Sequence, residues 1–395
     1  MRQKKSIEDV EVSGKKILLR ADFNVPLEEG RVRDDARIRA VLPTLENLLD
    51  RGAALVLASH LGRPKGRPDP GLKLDPVAER LAELLGRPVR KLDQVAGPGV
   101  AEAIGVLQSG ELLLLENLRF EKGEESNDRE FARQLAEPVD LFVNDAFGTA
   151  HRAHASTAGV AEFVPAVAGL LMKKEIEELS RCLENPQRPL TAILGGAKVS
   201  DKITVIRRFL ELADQLLVGG GMANTFLAAR GFGLGDSLYE KDLLKEASSL
   251  IESAEKSGCR LVLPVDLVVT RALEPGGETK TLPPQEISGD WKAVDIGPET
   301  VKTFSRYLSQ AAMIVWNGPL GVFEIPPFDE GTKLVARAMA ASEAYSIVGG
   351  GDLVAALEGL GLAGAVGFIS TGGGATLEFW EDKELPGIKV LQDKA

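Results

Sequence analysis

Four short glycine clusters in the second half of the chain are of the type that binds phosphate. They lie at residues 195–196, 219–221, 349–351 and 372–374, each after an aliphatic run and before a helix-like stretch. Glycine lets backbone amides come close to a ligand, and the free N–H groups of the following helix attract anions. One glycine pair usually marks only a tight turn. Four such turns at the carboxyl edge of one sheet indicate a polyphosphate site.

Charged side chains accompany these turns. Lys198 and Lys202 are four residues apart, so we predict that they share a helix face, where they would repel each other unless an anion lies there. A solvated surface pair is the alternative. Asp352 follows a glycine cluster and could ligate Mg²⁺ or simply cap a helix. Glu324 follows a glycine-proline loop, where it suits ribose hydroxyl groups or is an ordinary exposed side chain.

The loops of the first half contain arginine, histidine, aspartate and asparagine instead. These loops are residues 20–26, 59–64, 116–120 and 144–154, and Arg37 follows a further turn. All three histidines of the chain, His60, His151 and His154, lie in them. Arginine binds phosphate or carboxylate through two parallel hydrogen bonds. Their convergence therefore predicts a site for a small anion of two or three charges, although a lone loop arginine is usually solvated.

Several other chemistries are disfavoured. The sequence has no G-x-x-x-x-G-K-[ST] loop, no G-x-G-x-x-G after a strand and no G-x-S-x-G elbow. Arginines beside the histidines argue against a zinc site. A net charge of −11 is poorly suited to nucleic acid or an anionic membrane surface. Two cysteines, no signal-like start and no long apolar run lead us to expect a cytoplasmic protein.

The elements that must position these residues alternate between short aliphatic runs and helix-like stretches in both halves. Continuous apolar runs suit strands buried on both faces of a parallel sheet. We therefore predict an α/β fold with two doubly wound parallel-sheet domains, Rossmann-like and three-layered (αβα), joined by a long helix. The joining helix is predicted over residues 169–184, because Pro186 and Pro189 prevent its continuation. An ordinary helix within one domain is the alternative.

Eight segments, in their order and spacing, resemble the phosphoglycerate kinase family. They are residues 20–26, 59–64, 116–120, 144–154, 194–203, 315–324, 349–352 and 370–377. The resemblance covers the whole chain and implies reversible phosphoryl transfer between 1,3-bisphosphoglycerate and ADP, which gives 3-phosphoglycerate and ATP. It implies Mg²⁺ as cofactor, hinge bending and a monomer. It also implies a phosphoglycerate domain over 1–168, a nucleotide domain over 185–375 and a tail over 376–395 that returns to the first domain.

The resemblance also assigns individual residues. The phosphoglycerate site would contain Asp22, Phe23, Asn24, Arg37, His60, Leu61, Gly62, Arg63, Arg119 and Arg152. The nucleotide site would contain Lys198, Lys202, Asn317, Glu324, Gly350, Gly351, Asp352 and Leu353, with Asp352 on the metal. The catalytic residues would be Arg37, Lys198, Gly373 and Gly374. Lys198 would follow the moving phosphoryl group, and the glycine amides would stabilise it.

Two positions depart from the family's usual pattern. Leu353 stands where a hydroxyl residue is usual, which removes a side-chain contact to phosphate. Ala293 stands where glycine is usual and slightly narrows the expected adenine pocket. Two other functions remain as alternatives. A non-catalytic two-domain protein that binds a small anion would explain the arginines but not the glycine turns. A nicotinamide dehydrogenase would need the dinucleotide fingerprint that is missing here.

Overall fold

The computed structural model describes residues 3–394. Contacts divide the chain into two compact units. The first comprises the chain up to Glu177 and again from Glu384 onward, and the second comprises Glu178–Lys383. Within the described residues, no helix is long and apolar enough to cross a membrane.

The first unit is built around a parallel sheet of six strands, and it also contains a two-stranded hairpin. The strands of the unit are β1 (Lys16–Arg20), β2 (Leu27–Glu28), β3 (Arg31–Val32), β4 (Ala54–Ala58), β5 (Arg90–Lys91), β6 (Leu112–Leu114), β7 (Leu141–Asn144) and β8 (Ala166–Ala168). The sheet order is β5-β6-β4-β1-β7-β8, and β2 pairs with β3 in a separate hairpin. The helices are α1 (Ala36–Asp50), α2 (Asp75–Leu85), α3 (Pro98–Gly105), α4 (Lys122–Glu125), α5 (Arg129–Ala136) and α6 (Leu170–Glu184).

The strand register brings the arginine- and histidine-containing loops to one edge. Arg20, the last residue of β1, pairs with Ala58 at the end of β4 and with Asn144 at the end of β7. The central strands are buried along nearly their whole length, which explains their continuous aliphatic runs. The loops that follow these strands therefore leave the sheet side by side.

The second unit has a parallel sheet of six strands and a smaller antiparallel sheet. Its strands are β9 (Leu190–Leu194), β10 (Gln215–Val218), β11 (Arg260–Val262), β12 (Leu267–Thr270), β13 (Thr279–Leu282), β14 (Lys292–Ile296), β15 (Met313–Asn317), β16 (Tyr345–Gly349) and β17 (Phe368–Ile369). The main order is β11-β10-β9-β15-β16-β17, and the side sheet is β13-β12-β14. The helices are α7 (Ile203–Leu212), α8 (Gly220–Ala229), α9 (Leu244–Ser257), α10 (Pro298–Leu308), α11 (Glu330–Ala340), α12 (Gly351–Gly359) and α13 (Gly374–Trp380), and α14 (Pro386–Lys389) lies beyond this unit.

The strand order of the second unit reverses between β9 and β15. Asn317 at the end of β15 pairs with Leu194 on one side and with Gly349 on the other, and Leu194 also pairs with Val218. Glycine clusters follow these strand ends, so three of them lie along one edge around the switch point. In open α/β sheets this is where ligands bind. The predicted pair of doubly wound parallel sheets is confirmed.

The two units divide inside α6, between Glu177 and Glu178. The C-terminal segment joins the first unit only from Glu384, eight residues later than the tail expected from residue 376. The reason is that α13 packs in the second unit, where the rings of Phe209 and Trp380 meet edge to face at 5.8 Å. The assignment of a ligand to each domain stays a prediction.

Candidate active site

His60 lies among arginine side chains at the edge of the first sheet. It is buried, with 3 % of its surface exposed. Burial is the main reason that its pKa lies well below the usual 6.5, and Arg20, Arg119, Arg37 and Arg152 lower it further. The structure therefore brings together arginines from loops that are far apart in sequence, around an imidazole held in its neutral form.

Hydrogen bonds between the loops fix the predicted binding residues. Arg37 Nη1 donates to Asp22 Oδ2 at 2.9 Å. The Gly62 N–H donates to Asn24 Oδ1 at 2.8 Å, and Arg119 Nη1 donates to the Gly62 carbonyl at 2.7 Å. Gly62 has a φ of +61°, which a residue with a side chain rarely adopts. These bonds connect the loops directly to one another.

The remaining predicted residues of this unit differ in exposure. The side chains of Phe23 and Leu61 are buried, so only their backbone could contact a ligand. Arg63 is exposed. Arg152 is half-buried, and its Nε lies 3.1 Å from His151 Nε2.

Sequence reasoning included Arg20 among the loop arginines of the anion site without giving it a role of its own, and it did not place Glu124 or Ser156 in the site. Arg20 is 1 % exposed, and its Nε donates to Ser156 Oγ at 2.9 Å. Glu124 is fully buried and accepts from Ser156 Oγ at 2.6 Å. A charged residue that ends the aliphatic run of β1 was the available signal for Arg20. Glu124 had none, because its segment reads as an ordinary charged helix.

Lys202 lies across the switch point of the second sheet. Its Nζ donates to the Gly195 carbonyl at 2.5 Å, to the Asn317 carbonyl at 3.2 Å and to Asn317 Oδ1 at 2.6 Å. Gly195 directly follows β9 and Asn317 ends β15, and these are the two strands at the reversal. Burial lowers the pKa of Lys202 to about 8, although Asp201 and Asp352 oppose this shift.

The expectation that Lys198 and Lys202 share a helix face is wrong. Helix α7 begins only at Ile203, and the residues between the two lysines form a turn. The side chain of Lys202 turns inward, whereas Lys198 is exposed. The Ser200 N–H donates to Glu240 Oε2 at 3.0 Å, which ties this turn to the rest of the unit. The two lysines therefore lie in different environments, Lys198 in solvent and Lys202 in the interior of the unit.

A mostly apolar cavity of about 750 Å³ opens beside these turns. Its lining includes the predicted residues Glu324 and Asp352, together with Ala293. The rest of the lining comprises apolar groups such as Leu238, Val294 and Pro319 and the charged side chains of Asp236, Lys241 and Lys292. An apolar pocket with few polar groups at its rim is typical of a site for a small organic ligand. Its volume is sufficient for a flat aromatic base and an attached sugar.

Asn317 and the start of α12 are in direct contact. Asn317 Nδ2 donates to the Gly349 carbonyl at 2.8 Å. A Cβ on Gly350 would lie 3.0 Å from Asn317 Nδ2, and Gly350 has a φ of +104°. Glycine is therefore required for this turn, and α12 begins directly after it at Gly351. The N–H groups of the first helical turn are free of helical partners.

Known proteins match nearly the whole length of this chain. The family model described as phosphoglycerate kinase matches residues 7–383. The chain belongs to the phosphoglycerate kinase family. A curated phosphoglycerate kinase of Rubrobacter xylanophilus is 57 % identical over 391 residues, which is 99 % of each chain. That of Pelotomaculum thermopropionicum is 53 % identical over 99 % of this chain and 100 % of its own.

Solved structures of phosphoglycerate kinases have the same fold. The structure from Coxiella burnetii has a TM-score of 0.90 at 43 % identity, with 98 % of each chain covered. The structure from Pyrococcus horikoshii has a TM-score of 0.83 at 35 % identity, with 99 % of this chain and 98 % of that one covered.

The structure describes both positions that depart from the family pattern. The side chain of Leu353 is fully buried in the core of the second unit, which agrees with the expectation that it makes no side-chain contact to phosphate. It follows Asp352 in the first turn of α12, where Asp352 is exposed and Leu353 is buried, so only the backbone N–H of Leu353 is available to a ligand. Ala293 does line the cavity, and its N–H donates to Ser237 Oγ at 2.8 Å.

The residues present are compatible with Mg²⁺ held between one carboxylate and a bound phosphate. Over residues 3–394, no group of three or more histidine, cysteine or acidic residues could hold a metal by itself. Asp352 is exposed at the start of α12 and lines the cavity. Mg²⁺ typically takes one or two protein carboxylates together with substrate phosphates and water, so a single carboxylate here fits that metal.

Gly373 and Gly374 form the turn before α13. Gly373 has φ +54° and ψ −111°, a conformation open to glycine. Gly374 is exposed, and an added Cβ on either residue would have no heavy atom within 4 Å. A side chain at either position would therefore enter open space.

Proposed function

We propose that this member of the phosphoglycerate kinase family transfers a phosphoryl group reversibly between 1,3-bisphosphoglycerate and ADP. In the reverse direction, 3-phosphoglycerate and ATP are the substrates. The first unit would bind the phosphoglycerate and the second the nucleotide. The observation that supports this division most strongly is the contrast between the two sheet edges: arginines around neutral His60 in one unit, and glycine turns with Lys202 and a cavity in the other.

The arginine cluster suits a small acid with a phosphate group. Arg37, Arg119 and Arg152 supply forked donors, and neutral His60 supplies a hydrogen bond without another charge. Asn24 and Gly62 hold the loop from which these groups are presented. The phosphoglycerate would thus be positioned by residues that are already bonded to one another.

The nucleotide would occupy the cavity at the edge of the second sheet. Its base would contact the apolar wall that includes Ala293, and Glu324 would accept from the ribose hydroxyl groups. Lys202 would exchange some of its carbonyl partners for phosphate oxygens. The backbone N–H groups of Gly350, Gly351 and Leu353 would complete the phosphate site. Asp352 would hold Mg²⁺, which neutralises phosphate charge when it is bound.

The chemical step requires positioning and charge neutralisation rather than a base. The attacking group of 3-phosphoglycerate is a carboxylate, which is already ionised at neutral pH. Lys198 is exposed on a turn and can follow the transferring phosphoryl group. The backbone at Gly373 and Gly374 would stabilise the same group, and Arg37 would neutralise charge at the acceptor.

Transfer requires that the reacting atoms come within ~3–3.5 Å of each other. Because the substrates are assigned to different units, we propose that the units close by hinge bending when both are bound, with flexing at the ends of α6. We further propose that the enzyme acts as a cytoplasmic monomer.

A coupled assay of ATP consumption tests this function. We expect turnover only when 3-phosphoglycerate and Mg²⁺ are both present. Binding of 3-phosphoglycerate and ATP without turnover, in protein shown to be folded, would support the non-catalytic anion-binding alternative instead. Turnover that is independent of 3-phosphoglycerate would contradict the assigned acceptor.

A further inference from the structure

A buried chain of hydrogen bonds ends on His60. Glu124 accepts from the Ser156 N–H at 3.1 Å and from Ser156 Oγ at 2.6 Å. Ser156 Oγ in turn accepts from Arg20 Nε at 2.9 Å. Arg20 Nη2 lies 3.0 Å from His60 Nδ1, and Arg20 Nη1 bonds to the Ala21 carbonyl. The four residues that this series of hydrogen bonds connects are each at most 3 % exposed.

The chemistry of arginine fixes the direction of these bonds. A guanidinium group has five N–H donors and no acceptor. Nδ1 of His60 must therefore accept from Arg20, and the single proton of the neutral ring must lie on Nε2. The Ser156 hydroxyl accepts from Arg20 and is left with one proton, which it donates to Glu124.

The other charged groups around the ring do not offer Nδ1 a competing bond. Asp22 Oδ1 is 4.0 Å from Nδ1, which is too long for a hydrogen bond. Arg37, Arg119 and Arg152 are cations and disfavour a second proton on the ring. Glu124 and Asp22 compensate the charge of buried Arg20, because the fields of both carboxylates favour the charged guanidinium.

We propose that Glu124 and Ser156 are positioning residues that act through Arg20 to fix the Nε2–H tautomer of His60. In this tautomer His60 presents a neutral hydrogen-bond donor to an oxygen of the acidic substrate, while the arginines supply the charge. The part that concerns the substrate rests on the proposed assignment of His60 to the phosphoglycerate site. The part that concerns the tautomer does not.

Nitrogen NMR of the imidazole rings tests the tautomer directly. The chain has three histidines, so each signal can be assigned by replacing one histidine at a time in the full-length protein. We expect His60 to show an unprotonated Nδ1 and a protonated Nε2 between pH 6 and pH 8, without substrate. A protonated Nδ1, or a ring that becomes charged in this range, would overturn the proposal.

Ser156→Ala tests the positioning role. It removes the hydroxyl group that links Glu124 to Arg20, and it adds no bulk. We expect mixed tautomer signals for His60 and a rise of about threefold to tenfold in the KM for 3-phosphoglycerate, the size expected for one lost hydrogen bond. The KM for ATP should not change. Ser126→Ala, at an exposed serine two residues after Glu124, is the control.

The outcomes separate the two claims. An unchanged tautomer and an unchanged KM in Ser156→Ala would overturn the role of Ser156. If the wild-type tautomer is as expected but His60→Ala leaves the KM for 3-phosphoglycerate unaffected, the assignment of His60 to that substrate fails and the tautomer stands. Glu124→Gln, which keeps the shape but removes the charge, should give the same direction of change as Ser156→Ala.

Discussion

At the scale of single residues, Leu353 is a core residue beside the proposed nucleotide site. Its side chain packs with Val348 and Leu357 in the core cluster of the second unit. We expect Leu353→Thr to lower the free energy of unfolding by about 2–4 kcal/mol, because it removes buried methyl groups and places a hydroxyl among apolar neighbours. Denaturant titration would measure this loss.

The matched control for this change is Leu334→Thr, at a leucine that is 39 % exposed on α11. It should change the free energy of unfolding by no more than ~0.5 kcal/mol. The KM for ATP should be nearly the same in both variants. A Leu353→Thr variant of normal stability that binds ATP ten times more tightly would show that the side chain reaches the nucleotide.

Lys202 gives a prediction about pH. Its pKa in the free protein is lowered to about 8 by burial, and a phosphate beside it would favour the charged form. ATP binding should therefore take up a proton above pH 8, and the Kd should rise by up to ~10-fold per pH unit there. Calorimetry at pH 7, 8 and 9 would measure both effects. Lys202→Arg should lose this pH dependence because arginine stays charged, and a wild-type Kd that is constant over this range would contradict the assignment.

The sequence predicted the residue types of the site better than their surroundings. Arginines and histidine at strand ends were predicted as an anion site, and the structure brings Arg37, His60, Arg119 and Arg152 together. Burial could not be predicted in the same way. Lys198 and Lys202 look alike in the sequence, but where α7 begins decides that one is exposed and the other buried. The chain from Glu124 to Arg20 depends on tertiary contacts between distant segments.

At the scale of elements, the turn before α13 separates two effects of glycine. Gly373 has a backbone conformation that disfavours any side chain, whereas Gly374 does not have a positive φ. Gly373→Ala should lower the free energy of unfolding by ~1–3 kcal/mol and also lower kcat. Gly374→Ala should leave stability unchanged, since its Cβ would enter open space. A lower kcat in Gly374→Ala would then show an effect on the transfer step that is separate from any loss of stability. Normal turnover in both variants would contradict a catalytic role for this turn.

Asp145 anchors the start of α6 and makes stability depend on pH. It is fully buried, and its Oδ1 accepts from the Met172 N–H at 2.9 Å. Burial raises the pKa of Asp145 from 3.8 to about 7. In this window the folded protein holds a proton that the unfolded chain has lost, so the free energy of unfolding falls as pH rises, by up to ~1.4 kcal/mol per pH unit.

Asp145→Asn cannot titrate, so it should remove this contribution. When the pH is raised from 5 to 7.5, the free energy of unfolding of the variant should rise by at least ~1 kcal/mol relative to that of the wild type, as measured by denaturant unfolding. Asp50→Asn, at an exposed position of the same unit, controls for the loss of one negative charge. A difference between variant and wild type that is the same at both pH values would contradict a buried, titrating Asp145.

At the scale of the whole molecule, the alternation of strands and helices was sufficient to predict two doubly wound sheets. The sheet β13-β12-β14 was not predicted, because β13 is largely exposed and lacks an aliphatic run. The second unit also continues to Lys383, whereas the predicted nucleotide domain ends at residue 375. Because Phe379 and Trp380 are apolar, the sequence predicts that they are buried but not in which unit. In the structure both are buried in the second unit, before the chain joins the first unit at Glu384.

The central claim is that each unit binds one substrate and that transfer needs both. Steady-state kinetics of Arg152→Ala and Glu324→Ala, with both substrates varied, tests it most directly. Arg152 is half-buried beside His151, and Glu324 is exposed at the cavity. We predict that Arg152→Ala weakens the binding of 3-phosphoglycerate by ~1.5–3 kcal/mol and leaves the KM for ATP unchanged. We predict that Glu324→Ala raises only the KM for ATP. A rise in the KM for ATP in Arg152→Ala, with the KM for 3-phosphoglycerate unchanged, would contradict the division between the units.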